Sequence, residues 1–192
     1  MNHNTRNHFS TGRSAVLLIL LLALAGLPTL ATAQVFVNHA ASGDNDGSSW
    51  ANAHTDLQAA LAEAEAGDEV WVAAGVYKPT DDENDRSATF QLIDGVEIYG
   101  GFAGTETNRE QRDWQANLTV LSGDIDNNDT TDANGVVVDA DDIQGDNSFN
   151  VVTGSETDDT AILDGFVITA GLADGEFDNP CGPACGLTPG HT

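Results

Sequence analysis

The run Asp124-Ile125-Asp126-Asn127-Asn128-Asp129 sets oxygen donors at alternate positions. When such a loop curls, oxygens at i, i+2 and i+4 converge, the arrangement that a hard cation such as Ca²⁺ requires. Asp124, Asp126 and Asn128 are therefore the expected ligands of a calcium ion. The backbone carbonyl of Asn127 or Thr130 would help to complete the shell. The EF-hand pattern is not met: Asp129 stands at the sixth position, where the turn needs Gly, and Gly135 at the twelfth, where a bidentate Glu belongs. A merely solvated acidic loop is the competing reading. Asp44-Asn45-Asp46, Asp81-Asp82-Glu83 and the stretch Asp139 to Asp142 are weaker versions of the same feature.

Bases are scarce. After residue 33 the chain holds only Lys78, Arg86, Arg109 and Arg112. Arg109 adjoins Glu110 and Arg112 adjoins Asp113, so local ion pairs are the expectation for both. Glycoside hydrolysis needs two carboxyls flanking one bond. Asp141-Asp142 and Asp158-Asp159 are adjacent, and neighbours on a strand face opposite ways, so neither pair is a natural acid/base couple. His39, His54 and His191 lack metal-ligand spacing. No catalytic residue and no organic cofactor is assigned.

The whole composition agrees with that scarcity. Thirty-one Asp and Glu face six Lys and Arg over 192 residues, a net charge of −25. Phosphate recognition needs clustered Lys and Arg, so nucleic acid is excluded as a partner. Anionic membrane surfaces are excluded on the same ground.

The start of the chain reads as an export signal. Arg6 and Arg13 precede thirteen apolar or glycine residues, Ala15 to Leu27, and then Pro28 and the small-x-small sequence Ala31-Thr32-Ala33. The run is too short for a membrane span, which needs about 20 residues. Cleavage after Ala33 would remove two arginines and no acid, taking the net charge to −27. The product would be secreted or held at the cell surface, and the oxidising environment would favour a small Cys181–Cys185 disulfide.

One helix is expected over Asp56–Ala66. Thr55 and Gln58 match a capping box, Leu57, Ala60, Leu61 and Ala64 form an apolar stripe, and Gly67 stops it. Leu57 and Leu61 should be buried and Glu63 and Glu65 exposed. Short β-like runs follow: Asp68 to Val72, Val76-Tyr77, Thr89–Leu92, Val96–Tyr99, Thr119–Leu121, Val136–Val138, Phe149–Val152, Ala161–Leu163 and Phe166–Thr169. No helix separates them, which removes βαβ folds. Leu92 to Gly101 matches Ile162 to Gly171: two aliphatics, Asp-Gly, an apolar residue, any residue, Ile, two free positions, Gly. Val120 to Ile125 is a partial third copy. Stacked units, or hairpins of a β-sandwich, would use such Asp-Gly corners. The inward ladder would hold Val70, Val72, Val96, Ile98, Leu121, Val152, Phe166 and Ile168. Trp71 and Tyr99 would either stack outward as a sugar platform or pack under a loop.

Leu57 to Pro79, with Gly67-Asp68-Glu69-Val70-Trp71-Val72 and Gly75-Val76-Tyr77, resembles the entry into a right-handed parallel β-helix. Val96 to Thr107, Asn108 to Trp114 and Thr119 to Asp126 resemble secreted bacterial proteins of the pectate-lyase-like (pectin lyase-like) superfamily. The resemblance implies an all-β solenoid with an amphipathic capping helix. Residues 1–33 would be the signal peptide, 34–171 the N-terminal coils and 172–192 an irregular or disordered tail. The chain reads as the N-terminal portion of a longer protein. Many members of that group are surface proteins, so a non-catalytic scaffold or adhesin is expected, its loops meeting polysaccharide or cell-surface components. The alternative implied is a calcium-dependent polysaccharide-active enzyme, lyase before hydrolase, with a Lys or Arg base.

Overall fold

The computed structural model describes Met1 and residues 33–174. The signal-peptide expectation and those on Cys181, Cys185 and His191 lie outside the described residues. Among the described residues, nine short strands and one α-helix occur in the order β1 (Gln34–Val37), α1 (Leu57–Glu63), β2 (Glu69–Ala73), β3 (Gly75–Tyr77), β4 (Phe90–Gln91), β5 (Glu97–Phe102), β6 (Thr119–Ser122), β7 (Val152–Thr153), β8 (Ile162–Asp164) and β9 (Phe166–Thr169). They form three sheets, ordered β1-β2-β5-β8, β3-β6-β9 and β4-β7. Every ladder between them is parallel. Among the described residues, no helix is long and apolar enough to cross a membrane.

The helix is shorter than its stripe predicts, and a different residue caps it. Asp56, not Thr55, accepts from the Gln58 backbone N–H at 2.9 Å. Thr55 turns instead to Asn45. The Gln58 side chain does not reach back to the cap; it donates to the Pro79 and Thr89 carbonyls, both at 2.9 Å, tying the helix to the segments after β3 and before β4. At the other end Asp68 takes the chain off the helical path. Its carboxylate accepts from the backbone of Glu65 and Ala33 at 3.0 Å, and Ala64 is already extended. Leu57 and Leu61 are buried; Glu63 and Glu65 are exposed.

The core joins α1 to the inward residues of the strands: Val37, Val70, Val72, Tyr77, Phe90, Val96, Ile98, Leu121 and Val151. Alternate strand residues point the same way, so Ile98 stacks on Val70 in register. The expected ladder weakens toward the last strands. Val152 and Phe166 are half-buried, and Ile168, paired with Leu121, is 53% exposed. Its neighbour covers one side, and no described strand covers the other.

Two further expectations are corrected. Val136–Val138 is not a strand; Val138 is 77% exposed, and Val137 is held by the Thr169 hydroxyl rather than by a ladder. The internal repeat does not stack copy on copy. Glu97 pairs with Ile162, so Val96–Tyr99 and Phe166–Thr169 fall in different sheets. What the copies share is the corner: Gly95 and Gly165 have φ of +74° and +84°, a backbone that only glycine adopts without strain.

Candidate functional site

Across β1, β2 and β5, with Trp50 from the loop after β1, an aromatic cluster lies apart from the main core. Trp71 stacks on Phe102 with ring centroids 4.8 Å apart, and Phe36 and Trp50 meet edge-on at 4.8 Å. Trp71 and Tyr99 are 1% and 7% exposed, so they pack inside and present no sugar platform.

Arg109, in a 3₁₀ turn at Arg109–Gln111, lies with its guanidinium carbon 4.6 Å from the Tyr99 ring centre. It donates to Glu69 at 2.9 Å, to Glu97 at 3.2 Å and to the Tyr99 hydroxyl at 2.9 Å. Glu69 and Glu97 are register partners on β2 and β5. Like charges directly opposite destabilise a sheet, and Arg109, bonded to both carboxylates, offsets that repulsion. Burial alone would lower the Arg109 pKa; Glu69, Tyr99, Glu97 and Glu110 overturn this and hold it above its ordinary value. Tyr99 is pushed up to about 12, by burial first and by Glu97 next. Arg112 donates to Asp164 at 2.8 Å and to the Gly100 carbonyl at 3.2 Å. The partners expected from adjacency, Glu110 and Asp113, are not the ones used, because the turn points both guanidiniums across the strands.

Arg86 is held in the same manner. It donates to the Asn147 and Leu172 carbonyls and to Asp174, and lies 4.5 Å from the centre of the Phe149 ring.

Lys78 is different. It leaves β3 directly after Tyr77, whose partner on β6 is Leu121, and so emerges beside Ser122 and Asp124. Its ammonium donates to the Asn127 side-chain oxygen at 2.6 Å and stands 3.6 Å from an Asp124 oxygen. The Lys78 and Asp124 side chains are 19% and 10% exposed. Both line an open groove of about 530 Å³ with His39, Asp56, Tyr77, Asp81, Asn127 and Thr131. Tyr77 donates to the Ala73 carbonyl, and burial pushes its phenol up to about 12.

The structure brings Asp124, Asp126 and Asn128 together, but they bond to one another. Asp124 accepts from the Asn128 backbone N–H at 3.1 Å, and Asp126 accepts from the Asn128 amide nitrogen at 2.7 Å. Asn128 thus turns its nitrogen, not its oxygen, toward the acid. Among the described residues no group of three or more His, Cys, Asp or Glu could hold a metal ion.

Sequence reasoning missed what the acidic loops do. Asp46, Asp82, Asp132 and Asp158 each accept from the backbone N–H two residues on. The signal was legible: in each case the residue at i+2 is Ser, Asn or Thr, the chemistry of an Asx turn. These bonds hold the four carboxyls below their ordinary 3.8. The Ser48 side chain leads for Asp46, the Asn84 backbone for Asp82, the Val136 backbone for Asp132 and the Thr160 side chain for Asp158. The acids serve as turn formers.

The chain matches no protein-family model, no curated protein and no solved structure.

Proposed function

We propose that the chain is an exported, non-catalytic surface scaffold of the adhesin-like kind, built as the N-terminal coils of a right-handed parallel β-helix. The wholly parallel pairing in three sheets supports the fold, and parallel crossovers are right-handed almost without exception. Export rests on Arg6, Arg13, the apolar run and Ala31-Thr32-Ala33. One observation carries the functional reading: all four cations among the described residues are engaged by acids and carbonyls of this same chain. Removing a proton next to a uronate carboxyl needs a base free to meet the substrate. The acidic surface would also repel an anionic polymer. Its partners are polysaccharide or cell-surface components that meet the outer loops.

The test is incubation of the mature chain with polygalacturonate, with calcium and with a chelator, reading the ultraviolet absorbance of unsaturated product. No product is expected in either arm. Calcium-dependent product that disappears in Lys78→Met would overturn the scaffold reading in favour of a polysaccharide lyase.

A further inference from the structure

We propose that Lys78 and Asn127 become joined by an intramolecular isopeptide bond, with Asp124 carrying the proton. Three observations converge. The Lys78 nitrogen lies 2.6 Å from the Asn127 side-chain oxygen, so the carbonyl carbon one bond behind it is within a short approach. Pre-positioning of this kind converts a slow amine–amide exchange into an intramolecular reaction. Second, a carboxylate stands where a proton carrier is needed: Asp124 is 3.6 Å from the same nitrogen, and both side chains are largely withdrawn from water. Third, the geometry is fixed from both sides. The β3–β6 register sets Lys78 beside the segment that carries Asp124, and Asn127 is held at φ +62°, a conformation Asn tolerates better than most residues.

The step balances without an oxidant or a further reagent. Asp124 takes one proton from the Lys78 ammonium, and the freed lone pair attacks the Asn127 side-chain carbonyl carbon. The tetrahedral adduct collapses as Asp124 returns the proton to the leaving nitrogen. A carbon–nitrogen bond to Lys78 forms, the bond to the Asn127 amide nitrogen breaks, and the released ammonia takes one of the two protons still on the lysine nitrogen and leaves through the groove as ammonium, the other proton staying on the new amide. Asp124 ends as the carboxylate it began as. The product ties the end of β3 to the loop after β6 across 49 positions of sequence. Apart from agreeing that Lys78 is no substrate base, this is independent of the scaffold reading, which stands or falls on the polygalacturonate assay.

The experiment is peptide mapping of the natively purified mature chain by mass spectrometry after cleavage at aspartate. A branched peptide joining the Lys78 and Asn127 segments, lighter by one ammonia, is expected. It should be absent from Lys78→Arg, which keeps the charge. In Asp124→Ala, with folding checked by circular dichroism, it should form at least about 100-fold more slowly. Cyclisation of an N-terminal Gln34, or a succinimide at Asn134-Gly135, also loses ammonia, but neither gives a branch and both persist in Lys78→Arg. Only linear peptides from the folded native chain after prolonged incubation would overturn the bond. An Asp124→Ala chain that links at the native rate would overturn the role of Asp124.

Discussion

On the β1-β2-β5-β8 sheet, Arg109 lies over Tyr99 and divides its guanidinium among Glu69, Glu97 and a phenol. Past the end of β3, Lys78 meets one carboxamide and one carboxylate in an open groove. Both cations hold parallel strands of a strongly acidic chain together. The contrast lies in the donor and its cover. A planar guanidinium over an aromatic ring is always charged and cannot act as a nucleophile. An ammonium beside an amide can lose its proton and react. One region is finished when it folds; the other holds the parts for a bond still to be made.

The largest expected effect tests how much the aromatic cover contributes. Trp71→Ala should cost about 3–5 kcal/mol in urea unfolding, since Trp71 stacks on Phe102 in a closed cluster. Ile98→Ala, inside the ladder, should cost about 2–5 kcal/mol, while Ile168→Ser at the uncovered last strand should stay within about 0.5 kcal/mol. Equal losses would mean the last strand is covered after all. In the groove, Lys78→Arg should lower stability by about 2–4 kcal/mol if the covalent tie forms, by analogy with a disulfide closing a loop of similar length.

The two regions also share an alkaline limit. Tyr77 and Tyr99 both sit near 12 in the fold, against an ordinary 10.0. The folded state holds these protons more tightly, so this contribution is complete below pH 10 and is lost as pH rises from 10 through about 12. Melting midpoints should fall across that window, and less steeply in Tyr77→Phe. The smallest effect concerns the loops. Asp46, Asp82, Asp132 and Asp158 have depressed pKa values, so their turns are supported above pH 3.8 and loosen as pH falls below it. Asp132→Asn should blunt that acid loss slightly, read as amide exchange at Asn134 and Val136.

Much of the scaffold was legible because it depends on local chemistry. The stripe of Leu57, Ala60 and Leu61 marks the helix, the Asp-Gly pairs mark left-handed corners, and alternation marks most strands. The helix ends earlier than its stripe implies because Asp68, five residues beyond Glu63, competes for the Glu65 N–H. The candidate site was less legible because its bonds are non-local. Arg109 finds Glu69 forty positions away, and only the strand register makes that acid a neighbour. The Lys78–Asn127 contact depends in the same way on β3 pairing with β6. The Asx turns of Asp46, Asp82, Asp132 and Asp158 were readable from Asp-x-Ser, Asp-x-Asn and Asp-x-Thr spacing, but alternate acids describe a cation loop equally well, so the spacing alone did not single them out.

The central claim is that the cations of this chain hold the fold together. Arg109→Met tests it most directly by urea unfolding, alone and combined with Glu69→Gln and Glu97→Gln. The single variant should lose about 1–2 kcal/mol, because two carboxylates facing each other across β2 and β5 lose their shared partner. Adding the two Gln substitutions should restore at least half of that loss. An unchanged midpoint in Arg109→Met, or a loss that the Gln substitutions leave untouched, would contradict the account.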